Sequence, residues 1–102
     1  MNRKFEEFVA KYIGKNNWDS VYFLKIVKFG FWDMHNGTAS DENFRAILKE
    51  MTEIKNRIKN FDLLQAMLYT AASQMVLKQG NPEKAKDYNK KAEMLLSDCS
   101  TR

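Results

Sequence analysis

Apolar side chains recur along this chain at spacings of three and four, the period of a helix rather than of a strand. In residues 4–13, Phe5, Phe8, Val9, Tyr12 and Ile13 share one helical face, with Asn2 placed to cap the start and Gly14 the end. In residues 41–59, Phe44, Ile47, Leu48, Met51, Ile54 and Ile58 form an unbroken apolar stripe, and the opposite face carries alternating charge. Residues 62–79 place Leu64, Leu68, Ala71, Met75 and Val76 on one side, where Ala71, Ala72 and Ser73 admit a close neighbour. Residues 82–97 bury Ala85, Tyr88, Ala92, Leu95 and Leu96.

Between these stripes stand residues that end helices and start them. The segment HNGTASD at 35–41 joins the turn dipeptide Asn36-Gly37 to three capping residues, Thr38, Ser40 and Asp41. Asn60 and Asp62 disfavour a helix interior and favour its start, so the chain breaks there. Gly80 ends the fourth helix, Asn81 caps the fifth, Pro82 takes its first position and Glu83 complements its positive N-terminal end.

The segment 18–35 is the one whose pattern points two ways. VYFLKIVKF at 21–29 is β-branched and aromatic enough to pass for a strand. Strict alternation fails in it, Lys25 and Lys28 lie three apart on one helical stripe with Val21 and Trp32 beside them, and no second strand-like run exists to pair with it. An unpaired strand leaves its backbone groups unsatisfied, so a central helix, capped by Asn17 or Asp19, is the expectation. The whole chain, 1–102, then reads as a single all-α domain, a compact bundle of about five helices.

Composition supports a globular domain: 44% of the residues are apolar, enough to offset the entropy of ordering. Cys99 is the only cysteine, which excludes an intrachain disulfide and any cysteine cluster for a metal and fits a reducing compartment. Glu6 and Glu7 interrupt the N-terminal stretch where a signal peptide needs an apolar run, and Lys25, Lys28 and Asp33 break the longest apolar segment. The expected location is the cytoplasm, with no membrane contact.

Chemistry-bearing residues are sparse. His35, the only histidine, follows Asp33 closely, yet no nucleophile is placed to use the couple, and it reads as a loop residue at a helix end. The four glycines are isolated, so no phosphate loop exists, and the carboxylate pairs lack the spacing of a cation loop. No catalytic, cofactor or metal site is expected. Net charge is +4, and Lys84, Lys86, Lys90 and Lys91 make a mild local excess that Glu83, Asp87 and Glu93 dilute; nucleic-acid binding through that helix is the secondary expectation.

Residues 69–96 resemble a single tetratricopeptide-type helical hairpin. Tyr69 stands at its early aromatic position, Ser73 at a small one, and Gly80, Ala85 and Ala92 at its turn glycine and packing alanines. That resemblance implies protein binding without catalysis, with Gln74, Lys78 and Asn89 as polar contributors. The residues themselves point to a second surface. Trp18, Tyr22, Phe23, Phe29, Phe31 and Trp32 crowd one segment, and aromatics at helical spacing ordinarily pack as core. A helix apolar nearly all round also leaves a surplus, so Trp32, Trp18 and Val21, beside Lys25 and Lys28, are the expected partner-binding patch. The functional expectation is a non-enzymatic module that binds another protein as a small adaptor or inhibitor, or that binds a second copy as a homodimer. Small basic chains of this kind are common among phage and mobile-element products that act on a host protein.

Overall fold

The computed structural model describes Glu7 and residues 17–100, with side chains as far as Ser97. Among these residues there is no strand. Residues 17–100 form four α-helices: α1 (Trp18–Val27), α2 (Asp41–Glu53), α3 (Phe61–Lys78) and α4 (Pro82–Ser100). A π-helical turn, Lys28–Asp33, continues α1, and a 3-10 turn, Lys55–Arg57, follows α2. Of the helix expected at 4–13 only Glu7 is among the described residues, where it is helical and exposed; the rest of that expectation lies outside them.

The segment that could have been a strand is helical. Asn17 caps it, accepting from the Ser20 N–H at 3.4 Å. Asp19, the other capping candidate, reaches across the fold instead: its carboxylate accepts from the backbone N–H groups of Lys59 (2.8 Å) and Asn60 (2.9 Å) and from Asn60 Nδ2 (3.1 Å). This clamp accounts for a departure from the sequence pattern. The stripe through Ile54 and Ile58 predicts one helix over 41–59, but α2 stops at Glu53, and Ile58 adopts an extended conformation that turns its side chain into the core. The backbone donors at 59 and 60 are given to Asp19 rather than to a helical ladder.

Two ends have the same construction. Gly37 and Gly80 both sit at positive φ, 71° and 82°. After α1 the N–H of Thr38 returns to the Asp33 carbonyl (2.8 Å) and that of Gly37 to Met34; after α3 the N–H of Asn81 returns to Val76 (2.9 Å) and that of Gly80 to Leu77. Both are Schellman ends, which need a residue free to adopt the left-handed conformation. Ser40 and Asn81 then cap the next helices by accepting from Asn43 and Lys84.

These ends set the topology. The turn at Gly80 folds α4 back antiparallel to α3, and the two share the most extensive helix–helix interface, with Ala72, Ser73, Ala85 and Ala92 buried in it. Ser73 Oγ donates to Asn89 Oδ1 (2.8 Å) or to the Thr70 carbonyl (2.7 Å) within that interface. On the other flank of α3, α1 runs parallel to it: Asp19 meets Asn60, and Gly30 packs on Ala71. Helix α2 packs across this layer, through Met51 and through Phe44, whose ring meets Tyr69 and Tyr88 at 5.4 and 5.1 Å between centroids. The molecule measures 19 Å along its short axis, about two helix layers.

The antiparallel hairpin of the last two helices is therefore present, whereas its tetratricopeptide identity is not confirmed. Asn60 and Ala71 lie 41 residues after Asp19 and Gly30, their partners on α1, against the roughly 34-residue period of that repeat.

The Asp19 clamp yields the first prediction. Desolvation pushes this carboxyl up, but the hydrogen bonds from Lys59 and Asn60 outweigh it and hold the folded-state pKa below the ordinary value. A depressed folded pKa gives stability that is present above the unfolded pKa of about 3.9 and lost as pH falls through the folded one. Asp19→Asn is expected to lower unfolding free energy by about 1 kcal/mol at pH 7, in line with the loss of one charge-assisted hydrogen bond at an accessible site. Urea denaturation across pH 7 to 2.5 should show the gap between the two proteins closing in acid.

Candidate functional site

Helix α3 is apolar around most of its circumference. Leu64, Leu68 and Ala72 belong to the buried core, Ser73 faces α4 and Ala71 meets Gly30 of the π-turn that continues α1. The remaining side carries Leu63, Met67, Thr70, Gln74 and Leu77, a stripe at helical spacing that no described helix covers. Over the middle of this stripe lies a groove of about 420 Å³. Its floor is α3, from Ala66 and Met67 through Thr70 and Ala71 to Gln74. One wall is α1 and its π-turn, contributing Ile26, Val27, Gly30, Phe31 and Met34; the other is Leu96 near the end of α4. None of these side chains is charged, in a chain whose charged share is 29%.

The π-turn shapes the α1 wall. A π-helix closes each backbone ring five residues on, and so brings side chains at i and i+5 into line. Lys28 and Asp33 have that spacing, and Lys28 Nζ donates to both carboxylate oxygens of Asp33, at 3.1 and 3.2 Å. Asp33 is a buried charged residue, and it also accepts from Thr38 Oγ1 at 3.0 Å. At the centre of the turn a Cβ on residue 30 would stand 3.2 Å from the Ala71 Cβ, tighter than ordinary contact, so glycine sets how closely α1 approaches α3. Within this turn Phe29 points into the core at 1% exposure while Phe31 stands out at 75%, on the lip of the groove.

The residues singled out from the sequence are distributed differently. Val21 is fully buried, so it cannot belong to a surface patch; it lies on the inward stripe with Tyr22 and Ile26. Trp18 is half-buried against the core. Lys25 is turned toward α2, 3.6 Å from Glu50 and over the Tyr22 ring, and Lys28 is held by Asp33. Burial, with Glu50 and Glu53 adding to it, pushes the Tyr22 phenol up to about 12. Trp32 remains 39% exposed beside Phe31. The surface aromatic is thus chiefly Phe31, which the helical spacing had assigned to the core. Leu96, expected on the buried face of the last helix, is a half-exposed wall of the groove.

The C-terminal lysines are not one free set. Lys84 Nζ donates to Asp41 at 2.8 Å, and that bond raises the lysine pKa and, with the charges of Lys84 and Arg45, holds the Asp41 carboxyl below its ordinary range. The contact ties the start of α4 to the start of α2. Lys86, Lys90 and Lys91 are exposed. Of the hairpin's expected polar contributors, Gln74 lines the groove, Lys78 is exposed at the end of α3, and Asn89 bonds Ser73. His35 is exposed at the end of α1. Among the described residues no group of three or more His, Cys, Asp or Glu side chains is placed to hold a metal ion, and no helix is long and apolar enough to cross a membrane.

No protein-family model matches this chain, and neither any curated protein nor any solved structure matches it.

A signal for the groove was present in the sequence. Leu63, Met67 and Leu77 repeat at helical spacing on a face of α3 distinct from that of Leu64, Leu68 and Met75, so the apolar part of that helix is wider than one buried stripe needs. The outward aim of Phe31 is less legible, because this segment is apolar nearly all round and its spacing alone does not say which face is covered.

The contrast between neighbouring aromatics is open to direct measurement. Phe29→Ala removes a ring from a packed core and is expected to cost about 3–5 kcal/mol of unfolding free energy. Phe31→Ala changes a mostly solvated side chain, with an expected effect within about 0.5 kcal/mol. Chemical denaturation of both variants checks the pair, and equal costs would mean that Phe31 is covered.

Proposed function

We propose that this domain is a non-enzymatic protein-binding module that takes another protein onto the face formed by the π-turn, α3 and the end of α4, in the manner of a small adaptor or inhibitor. The observation that carries the reading is the pairing of Phe31, 75% exposed, with an uncharged apolar groove beside it. Interface centres are depleted of charge and anchored by aromatic side chains, with methionine enriched. Met34 on the wall of the groove and Met67 on its floor suit a surface that must fit a partner's side chains closely. The face also has the shape of a helix-receiving site. From Leu63 to Leu77 the α3 stripe spans about 21 Å at 1.5 Å per residue, matching about four turns of an amphipathic helix.

This reading is preferred to nucleic-acid binding through α4. Lys84 is engaged by Asp41, and Lys86, Lys90 and Lys91 alternate with Glu83, Asp87 and Glu93 rather than forming a concentrated patch.

A displayed library of helical peptides, selected on the wild-type protein, tests it. Enriched peptides are expected to carry apolar residues at i, i+3 or i+4, and i+7, and to lose binding to Phe31→Asp and to Leu63→Lys while those variants keep the wild-type melting temperature. Binding should change little between 50 and 500 mM salt, conditions chosen here to span weak and strong screening. Selection of peptides that bind the variants equally well, or of acidic sequences released by salt, would refute the assignment of this face.

A further inference from the structure

The turn after the π-helical segment places a chemically labile pair in the open. An asparagine side-chain amide can be attacked by the backbone nitrogen of the next residue, and glycine hinders that attack least because it has no Cβ. Asn36 is the only one of the nine asparagines that is followed by glycine. Both residues are exposed, Gly37 stands at φ 71°, and a Cβ placed on it would meet nothing within 4 Å, so the reacting atoms have room and solvent. The attacking nitrogen is also loosely held. The Gly37 N–H donates to the Met34 carbonyl at 3.3 Å, the longest backbone bond of this turn, whereas Thr38 reaches Asp33 at 2.8 Å. We propose that Asn36 is a site of spontaneous deamidation, and that its conversion unfastens the end of the helical segment that carries Phe31 and Trp32.

The step needs only water. The Gly37 nitrogen gives up its proton and bonds to the Asn36 side-chain carbonyl carbon; the bond from that carbon to Nδ2 breaks, and the nitrogen takes up the proton and leaves as ammonia. Water then opens the succinimide ring at either carbonyl, leaving aspartate or isoaspartate at position 36. The intact amide secures the helix end: Asn36 Nδ2 donates to the Trp32 carbonyl at 2.8 Å, and the Asn36 backbone N–H donates to the same oxygen at 3.1 Å. A carboxylate there has no proton to donate, so it faces that carbonyl as acceptor against acceptor. It also stands at the negative end of the helix dipole, three residues after the buried Asp33 carboxylate. Isoaspartate adds a methylene to the main chain inside the Schellman end, where Gly37 and Thr38 return to Met34 and Asp33. Other asparagines are placed differently. Asn81 precedes proline, whose nitrogen carries no hydrogen, Asn43 and Asn89 lie within α2 and α4, and Asn60 Nδ2 donates to Asp19.

Ageing of the full chain at neutral pH over several weeks, with samples digested and mapped by mass spectrometry, tests the proposal. The expected result is the mass gain of an amide turned acid at position 36 before any other asparagine, with part of the product accepting a methyl group from an isoaspartate-specific methyltransferase. Conversion also removes one unit from the net charge of +4, so the product should leave a cation-exchange column earlier. Retention of the amide in the folded chain while the guanidinium-unfolded chain loses it would show that the Schellman end shields the site, and would overturn the proposal. So would earlier conversion at another asparagine, or none at all. Asn36→Asp supplies the aspartate product directly and is expected to melt about 4–8 °C below the wild type, the shift that one lost contact at a helix end makes in a domain of this size. Asn36→Ala, which loses the donor without gaining the charge, should fall between the two. An Asn36→Asp variant as stable as the wild type would overturn the second half of the proposal, that conversion unfastens the helix end.

Discussion

A helix with apolar side chains around its whole circumference has to be covered on every side or present a surface to something else. Helix α3 imposes that condition here. Three of its sides are met by parallel α1, antiparallel α4 and crossing α2, and each contact has its own local chemistry. Gly30 against Ala71 brings α1 close, Ser73 and Asn89 share a hydrogen bond in the α4 interface, and Tyr69 joins the ring cluster with Phe44 and Tyr88 under α2. The fourth side is the groove. The fold and the candidate site are therefore two results of the same excess of apolar surface on one helix.

Polar contacts select among the ways in which such greasy helices could pack. Hydrophobic burial is non-directional and would tolerate several registers. Asp19 on the approach into α3, Asp33 between Lys28 and Thr38, and Asp41 under Lys84 each fix one junction, and each links elements that burial alone leaves free to slide. The Asp33 cluster has a further effect. It ties Lys28 in the π-turn and Thr38 in the following loop to one buried carboxylate, within the same turn that carries the buried Phe29 and the exposed Phe31.

Much of this was legible in the chain. The helical period, the two Schellman glycines, and the caps at Asn17, Ser40 and Asn81 are local signals, settled within a few residues by backbone geometry and hydrogen bonding, and they appear where the residues place them. The all-α class and the terminal hairpin follow from them. Residues 18–35 were ambiguous because a fully buried helix and a fully buried strand have nearly the same composition, and the absence of a pairing strand was what decided between them.

What the residues could not settle was the assignment of side chains to faces where two elements meet. Val21 and Phe31 both lie on an apolar stretch of one helix, and nothing within that stretch says that the first is sealed in the core while the second is on the surface. Which side of the helix is covered is set between segments, by Gly30 pressed against Ala71 and by Asp33 held between Lys28 and Thr38. The early end of α2 has a similar origin in Asp19, which acts from 40 residues away. Local periodicity thus determined which segments became helices and where most of them stop. The choice of which apolar face is covered and which is left as a groove belonged to long-range packing, because burial depends on what a side chain meets across the fold.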